Sequence, residues 1–230
     1  MSKTIMAVGA HTGDAQLTCG MLLAKHAMNG DRVVIVDLTA GERGTPKGMT
    51  PAEFREQNVA SAQRFAEKLG GVSIVLDTPD GELYDTKEEE LRLAALMREY
   101  QANAVLYHWK NSLHKDHVAA SRITDNAIFY ASLATYEHPL PPAPLRSFMC
   151  AENWEDEAEF SPYYWFDVTA AFPLWKDAIR ELWLAEHSPS FRYLRYYEAL
   201  SVVRGARIGV DHATCFGVPP TAKRQRLELL

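Results

Sequence analysis

The 230-residue sequence contains few cysteines, no long apolar run and no excess of positive charge. Cys19, Cys150 and Cys215 are too few and too far apart for a disulfide framework or a cysteine-rich zinc site, so we expect reduced thiols. No run of about eighteen consecutive apolar residues is present, and no small-residue cleavage pattern follows the first apolar segment. These absences argue against membrane and secreted proteins, and we predict a cytoplasmic location.

The charge balance narrows the choice of partner. The sequence has 24 Lys and Arg residues against 30 Asp and Glu residues, a net charge of −6. Proteins that bind the phosphate backbone usually carry a basic excess, so we expect no nucleic-acid partner and no membrane partner. With 47% hydrophobic residues, the chain is long enough to bury a full core. We predict one domain over residues 1–230 that acts on a small molecule, and a homo-oligomer is compatible with this composition.

The first half alternates between strand-like and helix-like segments. Residues 4–10 and 32–38 are apolar runs typical of buried strands, and residues 14–28 have apolar positions at helical spacing. Further strands are predicted at 72–76 and 104–107, with helices at 51–69, 86–101 and 116–130. This pattern predicts an α/β fold, a Rossmann-like three-layer sandwich with a mostly parallel sheet and right-handed crossovers.

The second half is predicted to be a C-terminal elaboration of the same sheet. Four prolines between residues 139 and 144 exclude a helix in the connecting segment. Strand-like pieces follow at 145–150 and 163–168, and helical patterns at 172–187 and 193–203.

Ionisable residues follow each of the four predicted parallel strands. His11 ends the first strand, and the other three are followed by the loops TAGERG (39–44), TPDGEL (78–83) and HWKNSLHKDH (108–117). The carboxyl ends of parallel strands share one edge of the sheet, where open α/β folds bind ligands. His11, Asp14 and His117 are a plausible three-ligand set for zinc, with a fourth position left for water. Zinc lowers the pKa of such a water to about 7, so the pattern favours hydrolysis.

Two other interpretations of the first loop are open. Taken singly, His11 is more often a hydrogen-bonded structural histidine, and Asp14 a helix N-cap. The segment VGAHTGD also looks like the first loop of a Rossmann-like methyltransferase, with Asp37 as the acid that binds the ribose. That loop needs bare glycines where the cofactor approaches the backbone, and the side chain of His11 would fill this space. We therefore favour the zinc site over the nucleotide site.

Four short motifs, in order along the chain, resemble a known family. The spacing His11-x-x-Asp14, followed by LTAGERG, PDGEL and HKDH, is similar to the PIG-L/LmbE family of zinc-dependent N-acetyl-sugar deacetylases. The segments AEHSP and RGARIGVDHATCF resemble the closing helix and the C-terminal segment of that family. The resemblance covers nearly the whole chain and implies Zn²⁺ held by His11, Asp14 and His117. The implied reaction is hydrolysis of an N-acyl amine, an N-acetylated amino sugar or glycoconjugate.

The resemblance also implies roles for residues beside the metal. His114 matches the histidine that polarises the substrate carbonyl or protonates the leaving amine, with Asp116 as its orienting partner. Arg55 and Asp80 match positions that approach the sugar. Glu42, from the second motif, is added to the predicted substrate-binding residues.

The chain departs from the family pattern at the general base. The family motif reads Ala-His-Pro-Asp-Asp, whereas Thr12 and Gly13 follow His11 here, so the base aspartate is missing. A positioned general base contributes about 10²–10⁴-fold in rate, and activation of water by the metal is a separate contribution. We therefore predict a deacetylase with an altered or weakened base, or else a noncatalytic zinc- or ligand-binding protein.

Two expectations follow from the missing base. Glu42, Asp80 and His114 are the candidates to replace it. In addition, Gly13→Asp is expected to raise amide hydrolysis without changing the zinc stoichiometry.

Overall fold

The structure, a computed structural model, describes residues 2–222, which contain one seven-stranded sheet. The strands are β1 (Thr4–His11), β2 (Arg32–Thr39), β3 (Val72–Thr78), β4 (Ala104–Tyr107), β5 (Ser147–Ala151), β6 (Tyr164–Asp167) and β7 (Ala213–Gly217). Their order across the sheet is β3-β2-β1-β4-β5-β7-β6. Strands β1 to β5 are parallel, whereas β7 is antiparallel to both of its neighbours. The predicted α/β fold with a mostly parallel sheet is confirmed.

Helices follow most of the strands. They are α1 (Asp14–Thr18), α2 (Gly20–Met28), α3 (Pro51–Lys68), α4 (Lys87–Glu99), α5 (Lys115–Ser132), α6 (Phe172–Ala178), α7 (Trp183–His187) and α8 (Tyr193–Ile208). Short 3₁₀ turns occur at Glu42–Gly44 and Ile179–Glu181. Within residues 2–222, no helix is long and apolar enough to cross a membrane.

The two faces of the sheet form two separate parts of the core. Ile5 and Ala7 of β1 belong to one buried cluster, and Met6 and Val8 belong to the other. Because strand side chains point alternately to opposite faces, this division shows that β1 is covered by helices on both sides. The helix residues of the first cluster include Leu22, Phe65 and Trp175, and those of the second include Leu93, Met97 and Ile123.

The predicted helix over residues 14–28 is divided into α1 and α2. At the interruption, Nε1 of Trp175 donates a 2.9 Å hydrogen bond to the carbonyl of Gln16. Gly20 allows the indole to approach, because a Cβ at that position would lie 2.6 Å from Cδ1 of Trp175. The division therefore depends on a residue far along the chain. The helix predicted over 172–187 is likewise divided into α6, a 3₁₀ turn and α7.

A buried carboxyl near the end of β2 anchors the turn that follows β1. Asp37 has no solvent exposure, and its Oδ2 accepts a 2.8 Å hydrogen bond from Nε2 of Gln16. Oε1 of Gln16 in turn accepts the backbone N–H of Gly13 at 2.9 Å. Burial raises the pKa of Asp37 well above its ordinary value, and the hydrogen bond from Gln16 offsets only part of the effect. An enclosed Asp37 does not suit the ribose-binding role that a nucleotide site requires.

Replacing Asp37 with Asn tests this buried carboxyl. A carboxyl whose pKa is raised by folding stabilises the folded state most when the pH is below its pKa in the unfolded chain, here 3.8. It loses that contribution as the pH rises through its pKa in the folded state. The Asp37→Asn variant cannot ionise, so its stability relative to wild type should increase with pH above about 4. Urea unfolding at several pH values, with chelator present, measures this difference. A difference that does not change with pH would contradict the assignment.

Candidate metal and active site

The turn between β1 and α1 places an imidazole beside a carboxylate. β1 ends at His11, and α1 begins at Asp14, with Gly13 between them at φ +116°. The backbone N–H of His11 donates a 2.8 Å hydrogen bond to Oδ2 of Asp14. Nδ1 of His11 lies 3.2 Å from the same oxygen. A short, glycine-dependent turn thus fixes the first two predicted metal ligands side by side.

The start of α5 brings two further imidazoles to the same place. His114 is the N-cap residue of α5, and its Nδ1 accepts the backbone N–H of Asp116 at 3.2 Å. One turn into the helix, His117 is buried, and its Nε2 lies 3.4 Å from Oδ2 of Asp14. Its ring centroid is 5.4 Å from that of His11. The three residues predicted to bind zinc therefore meet around one oxygen of Asp14.

The distances in this cluster suit a tetrahedral metal site. Ligand atoms at about 2.0–2.1 Å from a tetrahedral zinc ion are separated from one another by about 3.3 Å. The separations of Asp14 Oδ2 from His11 Nδ1 and His117 Nε2 are 3.2 and 3.4 Å. Among residues 2–222, the groups whose ligand atoms all lie within 4.8 Å of one another are His11, His114, His117; Asp14, His108, His117; and His11, Asp80, Asp116, and the predicted set takes its members from the first two. The donor types and spacings thus fit Zn²⁺.

The electrostatics of the cluster also favour a cation. Burial opposes protonation of His11, but hydrogen bonds, led by that to Asp116, hold its pKa well above the ordinary value. Burial likewise opposes protonation of His117, yet Asp14 and Asp156 raise its pKa to about 10. Burial opposes ionisation of Asp14, but His117 and other imidazoles hold its pKa well below its usual range. Groups that retain positive charge against burial form an environment suited to a divalent cation, which would replace the protons.

A cavity of about 770 Å³ opens beside the cluster. His11, Asp14, His114 and His117 lie on its wall. Its apolar side is formed by Phe54, Leu113, Trp183, Leu184 and Tyr193, and its cationic side chains are Arg43 and Lys115. A cavity of this size and mixed lining suits a small molecule with polar or anionic groups.

Asp80 and Asp116 lie on the opposite side of His11 from Asp14. Nε2 of His11 is 3.2 Å from Oδ1 of Asp80 and 3.3 Å from Oδ2 of Asp116. Backbone N–H groups support both carboxylates, because Asp80 accepts from Arg43 at 2.9 Å and Asp116 accepts from Gly81 at 2.8 Å. Asp80 is on the cavity wall, whereas Asp116 is fully buried. Both therefore act directly on the orientation of His11.

Arg55 and Glu42 are placed behind this wall and do not line the cavity. Oε1 of Glu42 accepts the backbone N–H of Asp80 at 2.9 Å. Nη2 of Arg55 donates to the carbonyl of Leu76 at 2.8 Å, and its Nη1 lies 3.6 Å from Glu42. In this arrangement the two residues support the loop that carries Asp80, and the arginine that reaches the cavity is Arg43.

A side chain at position 13 would meet Leu184 and would need an unusual backbone conformation. A Cβ on Gly13 would lie 2.3 Å from Cδ2 of Leu184, well inside van der Waals contact. The φ of +116° is also one that residues with a side chain rarely adopt. Leu184, from α7, would therefore have to move to admit a side chain at position 13, and the predicted benefit of Gly13→Asp stays a prediction.

Three residues of the cluster, His108, Glu155 and Asp156, were not singled out from the sequence. His108 Nδ1 lies 3.0 Å from Oδ2 of Asp156, and His117 Nδ1 lies 3.1 Å from Oδ1 of the same residue. Glu155 lines the cavity, with Oε2 3.5 Å from Nδ1 of His117. Asp156 and Glu155 follow β5, which is parallel to β4. The rule about carboxyl ends, applied to this fifth strand as to the first four, would have found them.

Comparison with known proteins places this site in a family context. A family model described as PIG-L, GlcNAc-PI de-N-acetylase, matches residues 6–128. A 4-oxalmesaconate hydratase of Pseudomonas putida is 27% identical over 215 residues, which cover 89% of this chain and 81% of that protein.

Two solved structures share the fold. GalB, the 4-carboxy-2-hydroxymuconate hydratase of Pseudomonas putida, has a TM-score of 0.85 and 22% identity, covering 97% of this chain and 100% of that chain. The N,N'-diacetylchitobiose deacetylase of Pyrococcus horikoshii has a TM-score of 0.81 and 20% identity, covering 96% of this chain and 85% of that chain. Because the family model spans more than half of the sequence, the chain belongs to the PIG-L family, and the resemblance of its motifs is confirmed.

Proposed function

We propose that this protein is a metal-dependent enzyme in which His11, Asp14 and His117 hold Zn²⁺. The observation that carries the proposal is the meeting of two imidazole nitrogens around one carboxylate oxygen, at tetrahedral spacing, on the wall of a cavity. A bound zinc ion would supply Lewis acidity and the activation of water at neutral pH.

His114 is proposed to donate a hydrogen bond to the substrate. Its Nδ1 accepts the backbone N–H of Asp116, so the neutral ring carries its hydrogen on Nε2. Burial, and then the charges of His11 and His117, lower the pKa of His114 and favour this neutral form. Since His114 lines the cavity, its Nε2–H is suited to polarise a substrate oxygen and to stabilise negative charge that develops there.

Amide hydrolysis is the first candidate reaction, with an N-acetylated amino sugar as substrate. The family description and the deacetylase among the similar structures support it. The reaction needs a group that accepts a proton from water, and the side chain at position 13 is missing. Of the sequence candidates, Glu42 does not line the cavity. Asp80 and His114 do line it, but Asp80 contacts Nε2 of His11, and His114 presents an N–H there instead of a lone pair. Glu155 also lines the cavity and is not among the proposed ligands, so we propose it as the replacement base.

Hydration of a carbon–carbon double bond is the other candidate reaction, and we favour it over amide hydrolysis. In this reaction water adds a hydroxyl group to one carbon and a proton to its neighbour. Position 13, where the family motif has its base aspartate, is a glycine with a φ of +116°, which disfavours any side chain, and this weighs against amide hydrolysis. Arg43 and Lys115, which pair with Glu82 and Asp116 in the free protein, line the cavity and suit the carboxylates of a small unsaturated oxo acid. The similarity to a 4-oxalmesaconate hydratase agrees with this choice.

Metal content provides the first test. Wild-type protein is expected to bind one Zn²⁺ per chain, while His117→Ala and Asp14→Asn should lose most of this binding because each removes a ligand atom. His26→Ala is a matched control, since His26 bonds Asp31 on the surface, outside the cavity. Elemental analysis after dialysis measures the stoichiometry. Wild-type protein with no stoichiometric transition metal would rule out the proposed function.

Parallel assays separate the candidate reactions. Zinc-loaded protein should consume a conjugated, unsaturated oxo dicarboxylate, followed by its ultraviolet absorbance, and should release little acetate from N-acetylated amino sugars. Acetate release as the dominant reaction would reverse our ranking. Zinc binding with neither activity would support the noncatalytic alternative. The His117→Ala variant gives the background rate for each assay.

Gly13→Asp tests whether an aspartate can be accommodated at position 13 and act there as a base. The substitution should lower the melting temperature, because backbone strain of about 1–3 kcal/mol adds to the contact with Leu184. It should not raise acetate release. The Gly13→Asp, Leu184→Ala double variant removes the contact but keeps the strain, so only part of the stability should return. A single variant that melts like wild type and releases acetate faster would show that only the base is lacking.

Arg43→Gln tests recognition of an anionic substrate. In this variant the backbone N–H at position 43 still supports Asp80, and the side chain loses its charge and its ion pair with Glu82. We expect KM for an unsaturated dicarboxylate to rise about tenfold, a loss of about 1.4 kcal/mol, with a smaller effect on kcat. Arg92→Gln is the control, because Arg92 pairs with Asp77 away from the cavity. Equal KM values for the two variants would argue against this role.

A further inference from the structure

Asp156 is a fully buried carboxylate that joins two histidines of the site. Its Oδ2 lies 3.0 Å from Nδ1 of His108, and its Oδ1 lies 3.1 Å from Nδ1 of His117. Its own backbone N–H donates to the carbonyl of Asn153 at 3.0 Å. Oδ1 of Asn153 accepts the hydroxyl of Tyr197, from α8, at 3.0 Å. Asp156 is therefore held in place by a turn that is itself anchored to the core.

The hydrogens in this series of hydrogen bonds can be placed, because one member is a backbone N–H, which can only donate. The N–H of Ala10, in β1, donates to Nε2 of His108 at 3.1 Å, so this nitrogen presents its lone pair. The hydrogen of a neutral His108 is then on Nδ1, which donates to Asp156. A carboxylate ion only accepts, so Nδ1 of His117 must also donate to Asp156. Nε2 of His117 is left as the nitrogen that faces Asp14.

The same argument separates His108 from the metal ligands. Nε2 of His108 lies 3.3 Å from Oδ2 of Asp14, which makes His108 a geometric candidate for coordination. Its lone pair is already used by the N–H of Ala10, and a hydrogen on Nε2 would leave that buried N–H without its acceptor. His108 thus transmits the orientation of β1 to Asp156.

We propose that Asp156 and His108 are positioning residues, which fix the tautomer and the orientation of His117 so that its Nε2 binds the metal. This inference rests on the proposed metal site. Ligating histidines commonly donate their second ring N–H to a carboxylate, and loss of that partner weakens metal binding about 10–100-fold. Asp156 lies outside residues 6–128, so the part of the chain matched by the family model does not contain this support.

Asp156→Asn keeps the size of the side chain but changes one acceptor into a donor. The amide nitrogen must face Nδ1 of either His108 or His117, and that ring then has to accept. If the affected ring is His117, its hydrogen moves to Nε2, which can no longer bind the metal. If it is His108, Nε2–H meets the N–H of Ala10. We expect Zn²⁺ affinity, measured by competition with a chromophoric chelator, to fall about 10–100-fold.

Two comparison variants separate positioning from general damage. His108→Gln offers an amide oxygen to Ala10 and an amide N–H to Asp156, so Zn²⁺ affinity should stay within about threefold of wild type. Loss of binding in this variant, with the hydrogen of His117 still on Nδ1 in its nitrogen-15 shifts, would instead make His108 a ligand. Asp125 is also on α5, and its carboxylate accepts a hydrogen bond from the hydroxyl of Tyr107. Asp125→Asn removes this carboxylate and should leave Zn²⁺ affinity unchanged. Circular dichroism checks the fold of each variant.

Nitrogen-15 shifts of the histidine rings provide a readout that needs no substrate. In wild-type protein, His108 should show a hydrogen on Nδ1 and none on Nε2, with or without Zn²⁺. His117 should show a hydrogen on Nδ1 and a coordinated Nε2 when Zn²⁺ is bound. Asp156→Asn should change the pattern of at least one ring.

The outcomes distinguish this inference from the proposed function. A His108 with its hydrogen on Nε2 would overturn the inference, as would an Asp156→Asn variant with wild-type Zn²⁺ affinity and unchanged ring shifts. Wild-type protein that binds no metal, yet shows the expected hydrogen on Nδ1 of His108 and its change in Asp156→Asn, would overturn the proposed function and leave the hydrogen-bond chain supported.

Discussion

The carboxyl edge of the sheet depends on a balance of charge among buried groups. Five carboxylates and four imidazoles meet there, and they are Asp14, Asp80, Asp116, Glu155 and Asp156 with His11, His108, His114 and His117. Two like charges 4 Å apart repel by about 4 kcal/mol at an effective dielectric constant of about 20. Such a cluster persists only because imidazolium protons, backbone N–H groups or a metal ion compensate the carboxylates.

The parallel sheet explains how these groups come together. β1 lies between β2 and β4, and β5 lies beside β4, so the carboxyl ends of four adjacent strands form one edge. His11 ends β1, His108 follows β4, and Asp156 follows β5 by a short loop. The N-terminus of α5 then returns His117 over the end of β1. Each contribution is short and local, but their convergence requires the whole sheet.

The sequence predicted those parts of the molecule that depend on local patterns. Continuous apolar runs identified β1 to β4, and spacing identified the three proposed ligands, because strand burial and motif order are both visible along the chain. The division of the first helix was not predictable, since it depends on the indole of Trp175 reaching the carbonyl of Gln16. The contact of Leu184 with position 13 was not predictable either, because Leu184 is distant in sequence. Asp156, by contrast, was predictable, because it follows a parallel strand at the edge where open α/β folds bind ligands.

The family model matches only part of the chain, and this bears on which reaction we propose for the protein. The proposed ligands His11, Asp14 and His117 all lie within residues 6–128, the part that the family model matches. Leu184, which lies against position 13, and Glu155, the proposed replacement base, lie beyond it. Zinc activates water for addition to either an amide carbonyl or a polarised double bond, so the ligands alone do not select the reaction. Selection therefore falls to the other residues of the cavity, which come from both halves of the chain, Arg43 and Lys115 from the first and Glu155 and Leu184 from the second.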